Sequence, residues 1–252
     1  MTSAIKSVRG NGFVTISIDR APVNALAPAD WAELRSQIED ASNDIDVRAI
    51  VLHGGEGRFC AGADIRVLTE PDDEDPAMML RIVAEAAASV RACRVPVIAA
   101  IDGPSHGGGL ELALACDIRI ASPDATFSAS GVNMGLVASV QSLVATVGDT
   151  RARLMLFTGE RFDAKLAESW SLVTVVDDEP FSAAMAIAES ITRKAPLAIE
   201  ANKTALTAAS TMTSDDHDSL MTKLFADLAR TDDHQEAISA FLEKRPRNFT
   251  RH

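Results

Sequence analysis

The chain has no tyrosine, and aromatic residues make up only 4% of it, as nine Phe and two Trp. Every mechanism that uses a phenol as acid, base or nucleophile is therefore excluded. Cysteine is scarce as well: Cys60, Cys93 and Cys116 are odd in number, widely spaced and form no Cys-x-x-Cys. This argues against a disulfide framework or a structural zinc site and for a reducing compartment. There is no basic excess, since 24 Lys and Arg stand against 36 Asp and Glu in 252 residues, a net charge of −12. Nucleic acid is not an expected partner. The N-terminus lacks the apolar core of a signal peptide, and the run Val95 to Ile101 is far too short to span a bilayer. The expectation is a cytoplasmic protein without membrane contact. What is present is an ordinary globular mixture, 47% hydrophobic and 24% charged, long enough to bury a sizeable core without covalent staples.

Apolar periodicity divides the chain. Val14, Ile16 and Ile18 alternate with Thr15 and Ser17 after the turn residues Arg9-Gly-Asn-Gly12, as in a hairpin. Trp31, Leu34 and Ile38 recur at helical spacing after Pro28 and Asp30. Val47 to Leu52 and Val95 to Ile101 read as buried strands, and Met79, Val83, Ala86 and Val90 as a helical stripe between them. The charged stretch Glu70 to Pro76 reads as a solvated loop. Leu110 to Cys116 continues as an apolar helix. From Phe181 onward the pattern is helical only. The expected class is α/β, with a core over residues 1–180 and a helical region over 181–252.

Ligands of parallel sheets sit at the carboxyl ends of strands, and two glycine-containing loops follow strands here. In Gly103-Pro-Ser-His-Gly-Gly-Gly109, the glycines allow backbone N–H groups to approach a ligand closely. A helix then begins, and its first N–H groups have no intrahelical partner and carry the positive end of the dipole. Gly107 and Gly108 could thus stabilise an oxyanion. Glu111, three and four residues on, shares their helical face and fits a base for proton abstraction beside a carbonyl. The same residues also fit a tight turn, with Glu111 complementing the dipole. In the other loop, Gly57 to Ile65, Asp64 fits a helix cap as well as a ligand contact. His106 fits either a hydrogen-bonded loop residue or a second titrating group. Gly103-Pro-Ser-His-Gly107 also fits the nucleophile elbow of α/β-hydrolases, with Ser105 as nucleophile. No phosphate-binding Gly-Lys-Ser/Thr follows the glycines.

Five segments in order resemble the enoyl-CoA hydratase/isomerase (crotonase) family. They are Asp19-Arg-Ala-Pro-Val-Asn-Ala-Leu26, Arg58-Phe-Cys-Ala-Gly-Ala-Asp-Ile65, and Val95 to Gly103 with Gly107 to Arg119. Thr158-Gly-Glu-Arg-Phe-Asp-Ala164 and Thr231 to Arg245 complete the set. The resemblance implies a crotonase-like spiral of ββα turns around two packed sheets, with C-terminal helices driving a homotrimer or a dimer of trimers. It implies an acyl-CoA thioester as substrate and no cofactor beyond the coenzyme A within that substrate. The N–H groups of Ala63 and Gly108 would hold the thioester oxygen, with Glu111 as the catalytic acid-base. Ala61, Asp64 and Ile65 would line the adenine and pantetheine path with Val23 nearby, and Gly107 and His106 would border the substrate. Lys244 matches a family lysine of the terminal helix.

One departure bears on the reaction. Hydratases of this family carry a second carboxylate four residues after the Phe that matches Phe127, and that position is Gly131. The usual Pro-Gly-x-Gly-Gly is missing from Leu136-Val-Ala-Ser-Val-Gln-Ser142, and Ser139 stands where some relatives carry Asp. Ser130, Asn133, Ser139 and Gln141 can position water but cannot titrate. A double-bond shift needs one base that takes a proton and returns it, whereas hydration usually employs two acids. Simple enoyl-CoA isomerases of the family often keep the acid that matches Gly131 instead, so the chain departs from both common patterns, and its residues favour isomerisation only slightly over one-carboxylate hydration or a non-catalytic acyl-CoA binder.

Overall fold

The structure is a computed structural model and describes residues 3–66, 75, 77–209 and 212–252. The expected solvated loop at Glu70 to Pro76 lies, except for Asp75, outside the described residues. The chain opens with an antiparallel hairpin, β1 (Ile5–Arg9) and β2 (Phe13–Ile18), pairing Ile5 with Ile18. It then repeats one unit, two strands followed by a helix. β2 continues into β3 (Ala25–Leu26) and α1 (Pro28–Asn43). Next come β4 (Ala49–His53), β5 (Gly62–Ala63) and α2 (Met78–Ala92). A third turn comprises β6 (Val97–Ile101), β7 (Pro104–His106) and α3 (Gly108–Ala115). β8 (Ile118–Ala121) and β9 (Thr126–Ser128) begin a fourth.

The first strand of each unit joins the large sheet and the second joins a smaller layer. The large sheet has the order β1-β2-β4-β6-β8-β11, where β11 is Val175–Val176, and it is parallel beyond the first hairpin. The smaller layer pairs β3 with β5, and β7 with β9 and β10 (Phe162–Asp163). A bridge between Cys60 and Ser105 connects its two parts. This is the ββα spiral that the resemblance implies.

The central strands β4 and β6 are apolar on both faces because both faces are covered. Ile50, Leu52, Val97 and Ala99 pack toward Trp31, Leu34 and Ile38 of α1 and Val83, Ala86 and Val90 of α2. Val51, Ile98 and Ala100 pack on the opposite side against Ala184 and Ala188 of α7 (Pro180–Thr192). The small α7 residues let that helix lie close to the sheet. The expected boundary at residue 180 therefore does not separate α7 from the core.

After β9 come a short 3-10 helix (Ser130–Met134), α4 (Val140–Val147), α5 (Asp149–Thr158) and α6 (Ala164–Ser169). The last helices are α8 (Pro196–Ala209), α9 (Ser214–Leu228) and α10 (Asp232–Leu242). Buried Lys203 fixes α8 to the core, donating to the carbonyls of Val90 and Val95 and to Asp117 at 2.8 Å. The tail after α10 folds back, with the Thr250 and Arg251 amides donating to buried Asp233. Phe225, Phe241 and Leu242 remain exposed on α9 and α10. Among the described residues no helix is long and apolar enough to cross a membrane.

Candidate active site

The two glycine loops meet backbone to backbone. The Cys60 amide donates to the Pro104 carbonyl, and the His106 amide donates back to the Cys60 carbonyl. Gly62 lies at φ +98, and a Cβ there would come within 2.8 Å of the His106 carbonyl oxygen and 2.9 Å of the Gly108 nitrogen. A Cβ at Gly109 would overlap the Cys60 carbonyl. Glycine at these two positions is what brings β5 against the first turn of α3. Gly108 is the first residue of α3, so its N–H has no partner within the helix. A side chain at this position would press on Trp31 and Val83.

Asn24, which sequence reasoning passed over within the first matching segment, fixes this junction from behind. It is fully buried with φ 56. Its Nδ2 lies within 3.0 Å of the Ile18, Gly54 and Phe59 carbonyl oxygens, and its Oδ1 accepts from the Arg20 amide at 2.8 Å. One side chain thus joins the end of β2, the exit of β4 and the residue before Cys60. The available sequence signal was an Asn after Pro-Val in a short loop, since Asn tolerates the left-handed region.

Glu111 stands on the first turn of α3, its amide donating to the Gly107 carbonyl at 3.1 Å. Its side chain is only 14% exposed. Oε1 accepts from the Ser142 hydroxyl of α4 at 2.8 Å and from Arg91 at the end of α2 at 3.2 Å. Oε2 is buried and has no hydrogen-bond partner among the described residues. A buried carboxylate oxygen without a partner is costly. Glu111 lines a cleft of about 910 Å³ together with Gly108, Leu80, Val83, Ala138, Ser139 and Ser142.

The residues expected to line a CoA path share one edge. The Ala61 amide donates to the Val23 carbonyl, and the Asp64 amide donates to the Leu26 carbonyl. Val23 and Ile65 are exposed there. Buried Asp64 accepts from the Arg66 guanidinium at 2.7 Å and from the Arg66 amide. The guanidinium hydrogen bonds hold its pKa down at about 2. Asp64 thereby also caps the short turn that follows it.

Several expectations need correction. The Ser105 hydroxyl is fully buried and donates to the Gly109 carbonyl at 3.2 Å, so it is a strand residue rather than an exposed nucleophile. His106 does not line the Glu111 cleft among the described residues. Its Nε2 lies 3.0 Å from the Thr126 hydroxyl, and burial, reinforced by the Arg161 charge, lowers its pKa to about 4. It stands at the end of β7, with its imidazole held below the ordinary histidine range. Of the four uncharged candidates, Asn133 donates to the Gly159 carbonyl, while Ser139 and Gln141 line the cleft. The hydroxyl that reaches Glu111 is that of Ser142. Ser130 lies beside Gly107. Gly131 lies in the short 3-10 helix, and Lys244 is exposed just past α10.

Comparison with known proteins identifies the family. The family described as enoyl-CoA hydratase/isomerase matches residues 9–252. A probable enoyl-CoA hydratase of Bacillus subtilis is 34% identical over 246 residues, covering 94% of this chain and 95% of that protein. The (E)-benzylidenesuccinyl-CoA hydratase of Thauera aromatica is 35% identical over 244 residues, with 94% of each chain covered. The crystal structure of enoyl-CoA hydratase from Bacillus anthracis has a TM-score of 0.95 at 28% identity, covering 99% of this chain and 100% of that one. The chain belongs to the enoyl-CoA hydratase/isomerase family and is an acyl-CoA enzyme of that family.

Proposed function

We propose that this enzyme shifts the double bond of an enoyl-CoA thioester through an enolate, with Glu111 as the single proton carrier. The observation that carries this reading is the asymmetry of the Glu111 carboxylate. Oε1 is held by Ser142 and Arg91, whereas Oε2 is buried and unpartnered on a residue that lines the cleft. Oε2 takes a proton from the carbon next to the thioester carbonyl. The electron pair moves onto the carbonyl oxygen as the conjugated enolate forms. The N–H groups of Ala63 and Gly108 receive that oxygen, and one such donor contributes about 3–4 kcal/mol to a transition state. The same carboxylic acid then returns the proton to the far end of the conjugated system. The double bond moves, and no atom is gained or lost.

Gly131 supports isomerisation because it supplies no second acid. Hydration by Glu111 alone is the competing reading, and two observations favour it. Relatives carry hydratase names, and Ser139 and Gln141 line the cleft where they can orient a water. Incubation with 2-enoyl and 3-enoyl CoA esters, followed by chromatographic separation of the two positional isomers and mass spectrometry, separates these readings. Interconversion without mass change is the expected result, gain of one water assigns hydration, and an unchanged ester assigns an inert binder.

The CoA portion is assigned to the Val23, Ala61, Asp64 and Ile65 edge, with no cofactor beyond the substrate's own coenzyme A. The exposed apolar residues of α9 and α10 support a homotrimer or dimer of trimers. Three free, buried cysteines support a reducing, cytoplasmic location.

A further inference from the structure

Three cations line the Glu111 cleft, Arg91, Arg94 and Lys203. Two of them are already committed. Lys203 is buried and donates to Asp117 and to the Val90 and Val95 carbonyls. Arg94 is bound to Glu200 and to the carbonyls of Ser42, Asp44 and Val47. Arg91 differs. It stands in the last turn of α2 with its side chain 42% exposed, and Nη1 donates to Glu111 Oε1 at 3.2 Å. Its Nε and Nη2 have no partner among the described residues. These two nitrogens form one edge of the guanidinium fork, the shape that takes a carboxylate through two parallel hydrogen bonds. The wall of the cleft along α2 is otherwise apolar, with Leu80, Val83, Ala84 and Ala88.

We propose that the acyl group carries its own carboxylate and that Arg91 receives it, so that the substrates are CoA thioesters of unsaturated dicarboxylic acids. The proposal rests on the reading that Glu111 acts on an enoyl-CoA. Charge balance through that reaction supports it. When Glu111 takes the substrate proton it loses its charge, and the new negative charge gathers on the thioester oxygen. Arg91 is then left without its anion in a partly desolvated place, which is unfavourable. Among the described lining residues the only other carboxylate is Glu200, and Arg94 and Arg251 already hold it. A substrate carboxylate on the Nε–Nη2 edge keeps Arg91 paired while Glu111 is discharged. It also uses nitrogens that Glu111 does not use, so the carboxylate need not displace the base. An uncharged acyl group of the same length leaves that edge empty.

The test sets hexenedioyl-CoA, with its free terminal carboxylate, against its methyl ester and against hexenoyl-CoA, each as the 2-ene and the 3-ene. Charge-assisted hydrogen bonds to one carboxylate should raise kcat/KM for hexenedioyl-CoA over its methyl ester by at least about tenfold. Arg91→Met should bring this ratio down to about one. Arg91→Lys keeps the charge without the fork and should retain part of it. A wild-type ratio of about one or less overturns the proposal. So does an equal loss of kcat/KM on all esters in Arg91→Met, which makes Arg91 a support of Glu111 alone. Calorimetric Kd values for saturated hexanedioyl-CoA and its methyl ester read the same recognition without turnover. Equal Kd values overturn the recognition. A difference of about tenfold in a protein that converts none of the esters leaves the recognition standing and overturns the enoyl-CoA reading instead.

Discussion

Asn24→Ala should remove about 4 kcal/mol of stability, although Asn24 touches no substrate. The side chain is fully buried, with Nδ2 at 3.0 Å from the Ile18 carbonyl oxygen, 2.9 Å from that of Gly54 and 2.9 Å from that of Phe59. The Arg20 amide donates to Oδ1 at 2.8 Å. Alanine strands three carbonyls and one amide. Nδ2 has only two hydrogens, so its three contacts amount to about two full bonds. Each buried polar group left unpaired costs about 1–3 kcal/mol, and partial relaxation brings the sum to about 3 kcal/mol. The backbone adds about 1 kcal/mol, because φ is 56 and alanine resists the left-handed region. In a chain of this size, each kcal/mol lowers Tm by about 2–4 °C, so the midpoint should fall by about 10 °C. Thermal and urea unfolding followed by circular dichroism at fixed protein concentration gives the measurement. Asn24→Gly separates the contributions, since glycine accepts the backbone but makes no hydrogen bonds, and it should recover only about 1 kcal/mol. A loss under about 1 kcal/mol in Asn24→Ala, or wild-type stability in Asn24→Gly, would refute the reasoning.

Ser142→Ala frees the Glu111 carboxylate to turn, and kcat should fall about tenfold with KM little changed, while Ser142→Thr restores most of the rate. Steady-state kinetics on an enoyl-CoA checks this, and equal losses in both variants would contradict the positioning role. His106 has its pKa lowered from 6.5 to about 4 by burial. Between those values the unfolded chain binds more protons than the folded one, so stability falls as pH drops through that window. Urea midpoints across the window should decline less in His106→Gln than in the wild type. Burial pushes the Cys60 and Cys116 thiols up to about 12. Both should resist iodoacetamide in the native protein at mildly alkaline pH and react once urea unfolds it.

Periodicity exposed most of the frame. Val14, Ile16 and Ile18 alternate because one face of β2 is covered more deeply than the other, and Met79, Val83, Ala86 and Val90 mark the buried stripe of α2. The ββα repeat left no internal sequence repeat. Its second strands, such as β3 and β5, are only two residues long, and loops of different length separate them. Helical periodicity in residues 181–252 did not reveal that α7 closes the sheet while α9 buries no residue. Both helices carry apolar stripes, and a stripe does not name its partner. At the site, glycine spacing located Gly108 and Glu111 because helix geometry is local. Arg91, Ser142 and Asn24 remained hidden, since their contacts join residues 20, 31 and as many as 35 positions apart. The surroundings of His106 were hidden for a related reason. Its place beside the glycines is local, but the turn of its ring toward Thr126 is set by the pairing of β7 with β9.

The central claim is that one carboxylate, Glu111, carries the substrate proton. The most direct test compares enoyl-CoA turnover and ester binding in the wild type and in Glu111→Gln, a change that keeps the shape and removes the base. The account predicts a fall in kcat of about 10²–10⁴, with the calorimetric Kd for the CoA ester altered by no more than a few-fold. Turnover by Glu111→Gln at the wild-type rate would contradict it.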